Sequence, residues 1–480
     1  MNRSIRLPDA QVISRYKVGQ SNVTITNDGK YIVDEPTLTF EGEKIYREML
    51  IHMYQSLAPL KESRDPIAYI EENIWRRASL IGQTDKIKKC YRGLRYRLER
   101  DILRYGILDV PMQDDKVEDI TCERFDADVG IVHRAYKSWK YPVLDTNLSF
   151  GTKENMNAFV QSVMLRNHKT VSDAKPFGNL RLPEGHRMHI TYDDKVSLPG
   201  PIISIRKFTN VPLTIVDLIR NGTMTKLQAA YLWMMIDARA FGILVGSTSA
   251  GKTTVLNALM FLCHPKWIIV TAEDMPELQI PHKRWKRLVT REDYENEKFA
   301  IDLQRLNYEA LRMQPHFVVL GEVRNGGEVH SLFDIAATGH GGMATFHAES
   351  PEYARVRLTD REIGLSRNQL VLLWFMVHLG EIRCGKKIQR KILRIDEITP
   401  GLNEPEIKPL FKYLSSDDRY DTECIEDILV KSSRVHDVAE KFGVDASKDL
   451  SRRINLLDIC IREKISSPTD VTKMLSNMHL

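Results

Sequence analysis

The spacing of apolar positions changes several times along the chain. Residues 1–40 are mostly polar and show no regular period. From Glu43 to Tyr105, apolar residues recur every three or four positions, for example at Ile87 and Tyr91. That period is typical of amphipathic helices, because residues three and four apart lie on one helix face. We therefore predict a helical region over residues 1–108.

Residues 109–208 show a different pattern. Short apolar runs, such as residues 129–133 and 187–192, are separated by turn-forming residues that include Pro199 and Gly200. Short runs bounded by proline and glycine are typical of strands. We predict a domain here that contains both strands and helices. Residues 209–225, with Pro212, Asn221 and Gly222, then predict a hinge.

Between residues 226 and 400, apolar strands alternate with helical stretches. This alternation is typical of a parallel sheet that helices cover on both faces, and it predicts an α/β core. The strands are placed at residues 241–245, 267–271, 316–320 and 343–346.

Beyond residue 400 the chain is first polar and then amphipathic. The helical period runs from about residue 424 to residue 478. We therefore predict a helical C-terminal segment over residues 401–480.

The composition of the 480 residues is that of an ordinary globular protein. Hydrophobic residues make up 42% and charged residues 28%, which excludes a disordered chain. The net charge of +5 is too small over this length to select nucleic acid as a partner. The longest uncharged apolar run, residues 370–380, is too short to span a bilayer, and residues 1–20 lack the apolar core of a signal peptide. We expect a protein that is neither transmembrane nor exported by a signal peptide.

The six cysteines are widely spaced and include no Cys-x-x-Cys pair. Such pairs build most zinc sites and dithiol redox sites. We interpret the cysteines as reduced thiols in the core, which is typical of a cytosolic protein.

The strongest chemical signal is a GxxxxGK[ST] motif directly after the strand at 241–245. In such a loop, glycines let backbone N–H groups close around phosphate oxygens, and the following helix N-terminus adds partial positive charge. The lysine reaches the β- and γ-phosphates, and the Ser/Thr hydroxyl binds Mg²⁺. The motif therefore predicts a site for ATP and Mg²⁺. It comprises Gly246, Ser247, Thr248, Ser249, Ala250, Gly251, Lys252 and Thr253, and Thr254 continues into the helix.

Two further strands end in carboxylates. The strand at 316–320 leads into Gly321 and Glu322, with glycine where an Asp is usual, so Glu322 is the candidate Mg²⁺–water ligand or general base. The strand at 267–271 leads into Glu273 and Asp274. Glu273 is a second candidate for polarising the attacking water, because ligands of open α/β sheets bind at the carboxyl ends of the strands.

Two histidines, His340 and His347, bracket the strand at 343–346. Either could hydrogen-bond a γ-phosphate or couple its loss to motion. A zinc site is the alternative, but no third ligand lies at metal spacing. We therefore favour phosphate sensing.

These four motifs, in this order, resemble those of the secretion ATPases of type II and type IV systems, and within them the archaeal motors of the archaellum and of type IV pili. The absence of a four-cysteine zinc module, which bacterial members often carry, favours the archaeal branch. The resemblance covers about residues 104–399 and extends upstream through residues 117–120, 176, 182–187 and 205–208.

The resemblance implies a RecA-like core over residues 226–400 and a domain over residues 109–208 that contributes to the nucleotide site. It implies a homo-hexamer on the cytoplasmic side of a membrane, which acts on a polytopic membrane platform protein and, through it, on pilin-like substrates. In the family, arginines of the first domain reach the phosphates. That role falls here to Arg206 and Arg187, with Arg312 and Arg324 as core-domain candidates.

Two other functions stay open. One is a ring of the same superfamily that translocates DNA, and the other is a nucleotide-gated assembly scaffold with little turnover. Residues 383–394 are strongly basic, but their alternation around Gly385 favours an exposed hairpin over a nucleic-acid patch. Residues 438–453 have helix-turn-helix spacing without a basic wing. We do not expect nucleic acid as a partner.

Overall fold

The computed structural model divides into two compact units, residues 1–209 and 210–480, here called the amino-terminal and carboxy-terminal units. The structure describes residues 11–56, 65–138, 140–208, 211–291, 299–384, 387–402 and 404–479.

The amino-terminal unit contains a nine-stranded sheet with the strand order β1-β2-β3-β6-β5-β4-β9-β8-β7. Its pairs are antiparallel except that of β3 with β6. The strands are β1 (Val12–Val18), β2 (Ser21–Thr26), β3 (Lys30–Asp34), β4 (Val117–Cys122), β5 (Gly130–His133), β6 (Leu144–Thr146), β7 (Phe177–Arg181), β8 (Arg187–Thr191) and β9 (Ile202–Arg206).

The prediction of a helical region over residues 1–108 is wrong for residues 12–34, which contain the first three strands and where the sequence showed no period. The reason is that β2 buries Ser21, Thr24 and Thr26 beside Val23 and Ile25. A strand whose buried positions are partly hydroxyl residues does not show the apolar alternation on which the prediction relied.

The predicted helices of this unit are present. Ile45, Met49, Ile74, Ile87 and Leu94 belong to one small apolar core between the first three helices. The helices are α1 (Phe40–Ser56), α2 (Pro66–Leu80), α3 (Thr84–Leu98), α4 (Asp109–Gln113) and α5 (Lys153–Arg166).

The carboxy-terminal unit contains a second nine-stranded sheet, with the order β12-β11-β13-β14-β10-β15-β16-β17-β18. The strands from β12 to β15 pair in parallel, and those beyond pair antiparallel. The four strands predicted for the core are confirmed as β10, β11, β13 and β14. The strands are β10 (Phe241–Gly246), β11 (Ile269–Glu273), β12 (Trp285–Val289), β13 (Phe317–Val323), β14 (Gly341–His347), β15 (Phe375–Cys384), β16 (Lys387–Thr399), β17 (Glu406–Leu414) and β18 (Arg419–Tyr420).

Helices cover both faces of the parallel part, as predicted. Leu244 and Val319 belong to one apolar core, whereas Ile243 and Val318 belong to another, because successive strand residues point to opposite faces. The helices are α6 (Ile215–Arg220), α7 (Lys226–Asp237), α8 (Lys252–Leu259), α9 (Leu303–Leu311), α10 (Gly326–Ala337), α11 (Pro351–Thr359), α12 (Ile425–Lys431), α13 (Ser433–Phe442), α14 (Ala446–Arg462) and α15 (Pro468–Leu475).

The region after residue 400 is partly different from the prediction. The polar stretch contains β17, which pairs with β16 and so continues the sheet, and the helices α12 to α15 follow as predicted. The basic run forms the β15–β16 hairpin, with residues 385 and 386 outside the described part. Arg453, in the stretch with helix-turn-helix spacing, is buried and therefore cannot read DNA.

Within the described ranges, no helix is both long and apolar enough to cross a bilayer.

Candidate functional site

The phosphate loop joins β10 to α8 and depends on two glycines. A Cβ atom on Gly246 would lie 2.5 Å from the carbonyl oxygen of Leu379, so no larger residue fits. Gly251 has φ +92°, in the left-handed region that favours glycine, and it is the N-cap residue of α8. The first N–H groups of α8 therefore point toward the loop with the partial positive charge of a helix N-terminus, which suits an anion.

Lys252 folds back over this loop. Its side chain is buried, and its Nζ donates hydrogen bonds to the carbonyl oxygens of Gly246 (2.9 Å) and Ser247 (2.8 Å). Burial lowers the pKa of Lys252 to about 8, although the charge of Glu322 opposes that shift. The ammonium group thus lies inside the loop, where phosphate oxygens could replace the two carbonyl oxygens.

Strand order brings Glu322 and His347 to this loop. β14 lies between β10 and β13, and Gly246 is the register partner of His347. The Nε2 atom of His347 is 2.6 Å from Oε1 of Glu322, and its Nδ1 is 3.2 Å from Nζ of Lys252. Since the ammonium can only donate, Nδ1 accepts and the Nε2–H donates to Glu322. His347 therefore connects the lysine of the loop to the carboxylate.

The same contacts fix the charge states. Burial, and then the positive charge of Lys252, lower the pKa of His347, which favours its neutral form. Burial acts to raise the pKa of Glu322, but the hydrogen bond and charge of Arg324, with His347 and Lys252, hold it below its usual value. Glu322 is therefore an ionised acceptor at neutral pH.

Arg324 holds the second oxygen of Glu322. Its Nη2 donates to Oε2 of Glu322 at 2.8 Å, and its Nη1 pairs with Asp274 at 2.9 Å. Both carboxylate oxygens of Glu322 are thus engaged. Asp274 was not a candidate from sequence, although its position directly after Glu273 at a strand end is the signal that could have identified it.

Glu273 lies at the end of β11, and its carboxylate has other partners. It is 1% exposed, and its Oε1 accepts hydrogen bonds from the backbone N–H groups of Glu277 and Leu278, both at 2.8 Å. Its Oε2 accepts from Arg287 at 3.3 Å. Burial raises the pKa of Glu273 to about 7. These contacts fix the turn after β11 rather than present a free carboxylate.

The glycine in place of the usual Asp has a packing reason. A Cβ atom on Gly321 would lie 3.1 Å from Cγ of Glu273, which is too close for ordinary contact. A side chain at position 321 would therefore require Glu273 to shift by a few tenths of an ångström.

His340 and His347 lie far apart in the structure. His340 precedes β14 and His347 ends it, so they are separated by about 20 Å at roughly 3.3 Å per strand residue. His340 contacts the hydroxyl of Thr338 at 2.9 Å. The structure therefore places His340 at the opposite edge of the sheet from the phosphate loop of its own chain, whereas His347 lies at that loop. That His347 contacts a γ-phosphate stays a prediction.

The remaining predicted arginines lie elsewhere. Arg312, next to the end of α9, is largely exposed and pairs with Glu309 at 3.0 Å. In the amino-terminal unit, Arg187 on β8 is the register partner of Arg206 on β9 and of Arg181 on β7. Arg181 was not predicted, and only the strand register reveals that three arginines form a row.

Arg206 is anchored within that row. Its Nε donates to Oδ1 of Asp119 on β4 at 3.1 Å, and Asp119 is its register partner. The row therefore continues from three arginines into one carboxylate across four neighbouring strands.

The residues around the loop fit a magnesium nucleotide. The loop amides and Lys252 supply donors for phosphate, while the hydroxyl of Thr253 and the carboxylate of Glu322 supply oxygen ligands for Mg²⁺. Magnesium in nucleotide sites takes few protein ligands and completes its shell with water and phosphate oxygens. In the described ranges, no three His, Cys, Asp or Glu residues are grouped to hold a metal by themselves.

Comparison with known proteins identifies the family. A model described as type II/IV secretion system protein matches residues 141–374. An uncharacterised protein of Methanocaldococcus jannaschii, MJ0900, is 28% identical over 91% of this chain and 82% of its own length. A probable conjugal transfer protein TrbB of Sinorhizobium fredii is 32% identical over 46% of this chain and 68% of its own length.

A solved structure, that of the ATPase DotB of Yersinia pseudotuberculosis, covers 76% of this chain and 90% of its own, with 17% identity and a TM-score of 0.43. The phosphate loop, β13, Glu322 and His347 all lie within the residues that the family model matches. The chain belongs to the type II/IV secretion system protein family.

Proposed function

We propose that the chain is an ATPase that hydrolyses Mg²⁺-bound ATP to drive a membrane-associated assembly machine. The observation that carries this proposal is the contact series from Lys252 through His347 to Glu322 at the carboxyl ends of three neighbouring strands. A phosphate-binding lysine linked to an ionised carboxylate is the arrangement that phosphoryl transfer to water requires.

The residues would act in sequence. Phosphate oxygens replace the carbonyl oxygens that Lys252 now contacts, and the amides at the start of α8 bind the same phosphates. Mg²⁺, held by Thr253 and Glu322, would neutralise phosphate charge. The carboxylate of Glu322 is ionised at neutral pH, because its pKa lies below its usual value, and a freed oxygen could orient a water molecule and take up its proton as phosphoryl transfer proceeds.

Glu322 is a better candidate for the general base than Glu273. Glu273 is almost fully buried and holds two backbone N–H groups and Arg287. Glu322 is partly exposed at the sheet edge, and its partners are side chains that can move. We assign the structural role to Glu273 and the chemical role to Glu322.

Three further parts of the proposal rest on the family. The arginine row with Arg187 and Arg206 stabilises phosphate charge, the segment at 209–225 acts as the hinge, and six copies assemble into a ring on the inner face of the cell membrane. The ring acts on a polytopic platform protein and powers an archaeal pilus-like filament, either a pilus, an archaellum or a secretion pseudopilus. The archaeal relative MJ0900, matched over most of both chains, supports the archaeal assignment.

The second candidate function is DNA translocation in conjugal transfer. The likeness to TrbB favours it. Single-stranded DNA should stimulate phosphate release if DNA is the cargo, and should leave the rate unchanged if a filament platform is the partner. A nucleotide-gated scaffold would show neither stimulation nor turnover.

Phosphate release from Mg²⁺-ATP, measured against protein concentration, tests the central proposal. We expect activity per chain to rise with concentration, as a ring assembles, and to disappear in Lys252→Ala and Glu322→Gln. Arg419→Gln, which changes an exposed arginine on β18 that is not a site candidate, is the control and should retain the rate. A wild-type chain that binds ATP without turnover at any concentration would contradict the autonomous motor and favour the scaffold.

A further inference from the structure

The carboxy-terminal unit contains a cavity of about 840 Å³ that the proposed ATPase site does not use. Phe241, the first residue of β10, lines it, whereas the phosphate loop follows the last residue of β10. The cavity is therefore on the opposite edge of the sheet, about 20 Å from the loop at roughly 3.3 Å per strand residue. Its volume lies within the range of small-molecule sites.

The interior of the cavity is largely apolar. Met234 and Val438 contribute buried side chains from α7 and α13. Trp267 and Trp374 add aromatic surface, and Leu372 adds an aliphatic one. Ligand sites of this size typically combine such a lining with a few polar groups that set the orientation of the ligand.

The polar groups are mostly cationic. The two carboxylates of the lining, Asp237 and Asp449, both pair with buried Arg453, at 2.6 and 2.7 Å. Three exposed cations also line the cavity, namely Arg239, Lys441 and Arg452. The lining thus contains four cationic side chains and two carboxylates, an excess of positive charge that attracts anions.

Arg239 also has an unusual backbone conformation, which supports a role for this arginine in the cavity. It follows α7 with φ +57°, and its N–H donates to the carbonyl oxygen of Ile236 at 2.9 Å. Helices usually place glycine at such a left-handed position, because a Cβ atom is disfavoured there. Here an arginine occupies it, and the guanidinium lies 5.4 Å from the ring centre of Trp267 at the cavity wall.

We propose that this cavity binds a small organic anion with a flat ring, of the class of a nucleoside monophosphate. The ring lies against the aromatic and aliphatic lining, and the anionic group meets Arg239, Lys441 and Arg452. His340 also lines the cavity and directly precedes β14, whose last residue is His347. A ligand here therefore lies beside the residue that precedes β14, and its binding does not depend on hydrolysis.

A pair of dyes with the same aromatic body tests the charge requirement. Anilinonaphthalene sulfonate is an anion, and N-phenyl-1-naphthylamine is its neutral counterpart. In fluorescence titrations of the full chain, we expect the anion to bind roughly tenfold more tightly than the neutral dye, since one good ionic contact corresponds to about a tenfold change in affinity. Equal affinity for both dyes would overturn the proposal.

Substitutions locate the site. Arg239→Glu with Arg452→Glu should weaken binding of the anionic dye by roughly tenfold or more, while Arg419→Glu, at an exposed arginine outside the cavity lining, should leave it unchanged. Circular dichroism checks that each variant is folded. Anionic-dye affinity that is the same in all three proteins would place the site elsewhere and reject the cavity.

Competition then tests the ligand class. AMP should displace the anionic dye, whereas adenosine, which has the same ring without the phosphate, should not. Displacement by both compounds, or by neither, would contradict an anion site for a flat ring.

Discussion

At the scale of single residues, the central feature is that His347 contacts both the lysine of the phosphate loop and the carboxylate of Glu322. The motif and the strand positions predict three site residues, Lys252, Thr253 and Glu322. Few residue types can bind phosphate and Mg²⁺ at those positions. The sequence could not show that His347 stands between Lys252 and Glu322, since that contact depends on which strands are neighbours. It also could not separate His347 from His340, because both flank the same short strand.

The charge of Lys252 predicts a pH dependence of nucleotide binding. The free protein has a lysine pKa of about 8, so the cation is progressively lost as pH rises through that value. Bound phosphate favours the charged form, and the affinity for ADP should fall about eightfold between pH 7.5 and pH 9. Titration calorimetry of the wild-type chain at the two pH values measures this.

Lys252→Ala is the comparison for that experiment. It should bind ADP more weakly, with an affinity that stays flat over the same range, because no ammonium is lost. A variant that keeps the wild-type slope would assign the pH dependence to another group.

We expect substitutions of the two histidines to have different effects on kcat. His347→Ala removes the partner of both Lys252 and Glu322, and we expect kcat to fall by roughly 100-fold, near the lower range for loss of a catalytic proton-transfer arrangement. His340→Ala changes a histidine at the other sheet edge and should retain kcat within about twofold, since it makes no contact with that arrangement.

Phosphate-release kinetics at saturating Mg²⁺-ATP give the kcat of each variant. Equal loss in the two variants would show that the histidines act through overall structure rather than through the position of Glu322.

At the scale of elements, strands with clear apolar runs were predictable and mixed strands were not. The continuous apolar residues of β10 and β13 reflect burial on both faces. β2 buries hydroxyl residues, and β17 buries only two of its nine residues, so neither shows a simple period. The hydrophobic pattern detects a strand only where several of its residues are both buried and apolar, so a strand that buries hydroxyl residues or buries few residues is missed.

Arg453 connects α14 to α7 through ion pairs, and we expect its loss to destabilise the fold. It is 5% exposed and pairs with Asp237 on α7 and Asp449 on α14. Arg453→Met should lower the free energy of unfolding by about 3–5 kcal/mol, because it leaves a buried carboxylate without its partner. Arg419→Met, which removes exposed ion pairs, should cost no more than about 1 kcal/mol.

The loss of stability in Arg453→Met should depend on pH, and the direction of that dependence follows from the pKa of Asp237. Burial raises its pKa to about 6, although Arg453 opposes the rise. A carboxyl whose folded pKa is raised lowers stability as pH increases through that range. Urea unfolding should therefore show a larger deficit for Arg453→Met at pH 8 than at pH 5, and a deficit independent of pH would exclude Asp237 as its source.

At the scale of the whole molecule, the chain has two units, each with its own sheet and core. The sequence predicted a boundary near residues 209–225 from turn residues alone. It could not predict that residues 12–34 join the sheet of residues 117–206, because that pairing spans a large sequence separation. The finer division of the chain into five segments stays a proposal.

Limited proteolysis tests the boundary. Thermolysin cuts before aliphatic residues, and Val211 and Leu213 are exposed between the two cores. We expect fragments that end or begin near these residues to accumulate, since cleavage concentrates in exposed linkers while packed units resist it. Mass spectrometry identifies the ends, and early cleavage inside β10 or β14 instead would reject the division.

The outer edge of the carboxy-terminal sheet has a consequence for solubility. β12 is its terminal strand, and Lys286 and Arg287 occupy the middle of it. A terminal strand offers unpaired N–H and C=O groups that can recruit a strand from another molecule, and charged side chains there oppose such pairing. Lys286 and Arg287 therefore disfavour growth of the sheet into aggregates through β12.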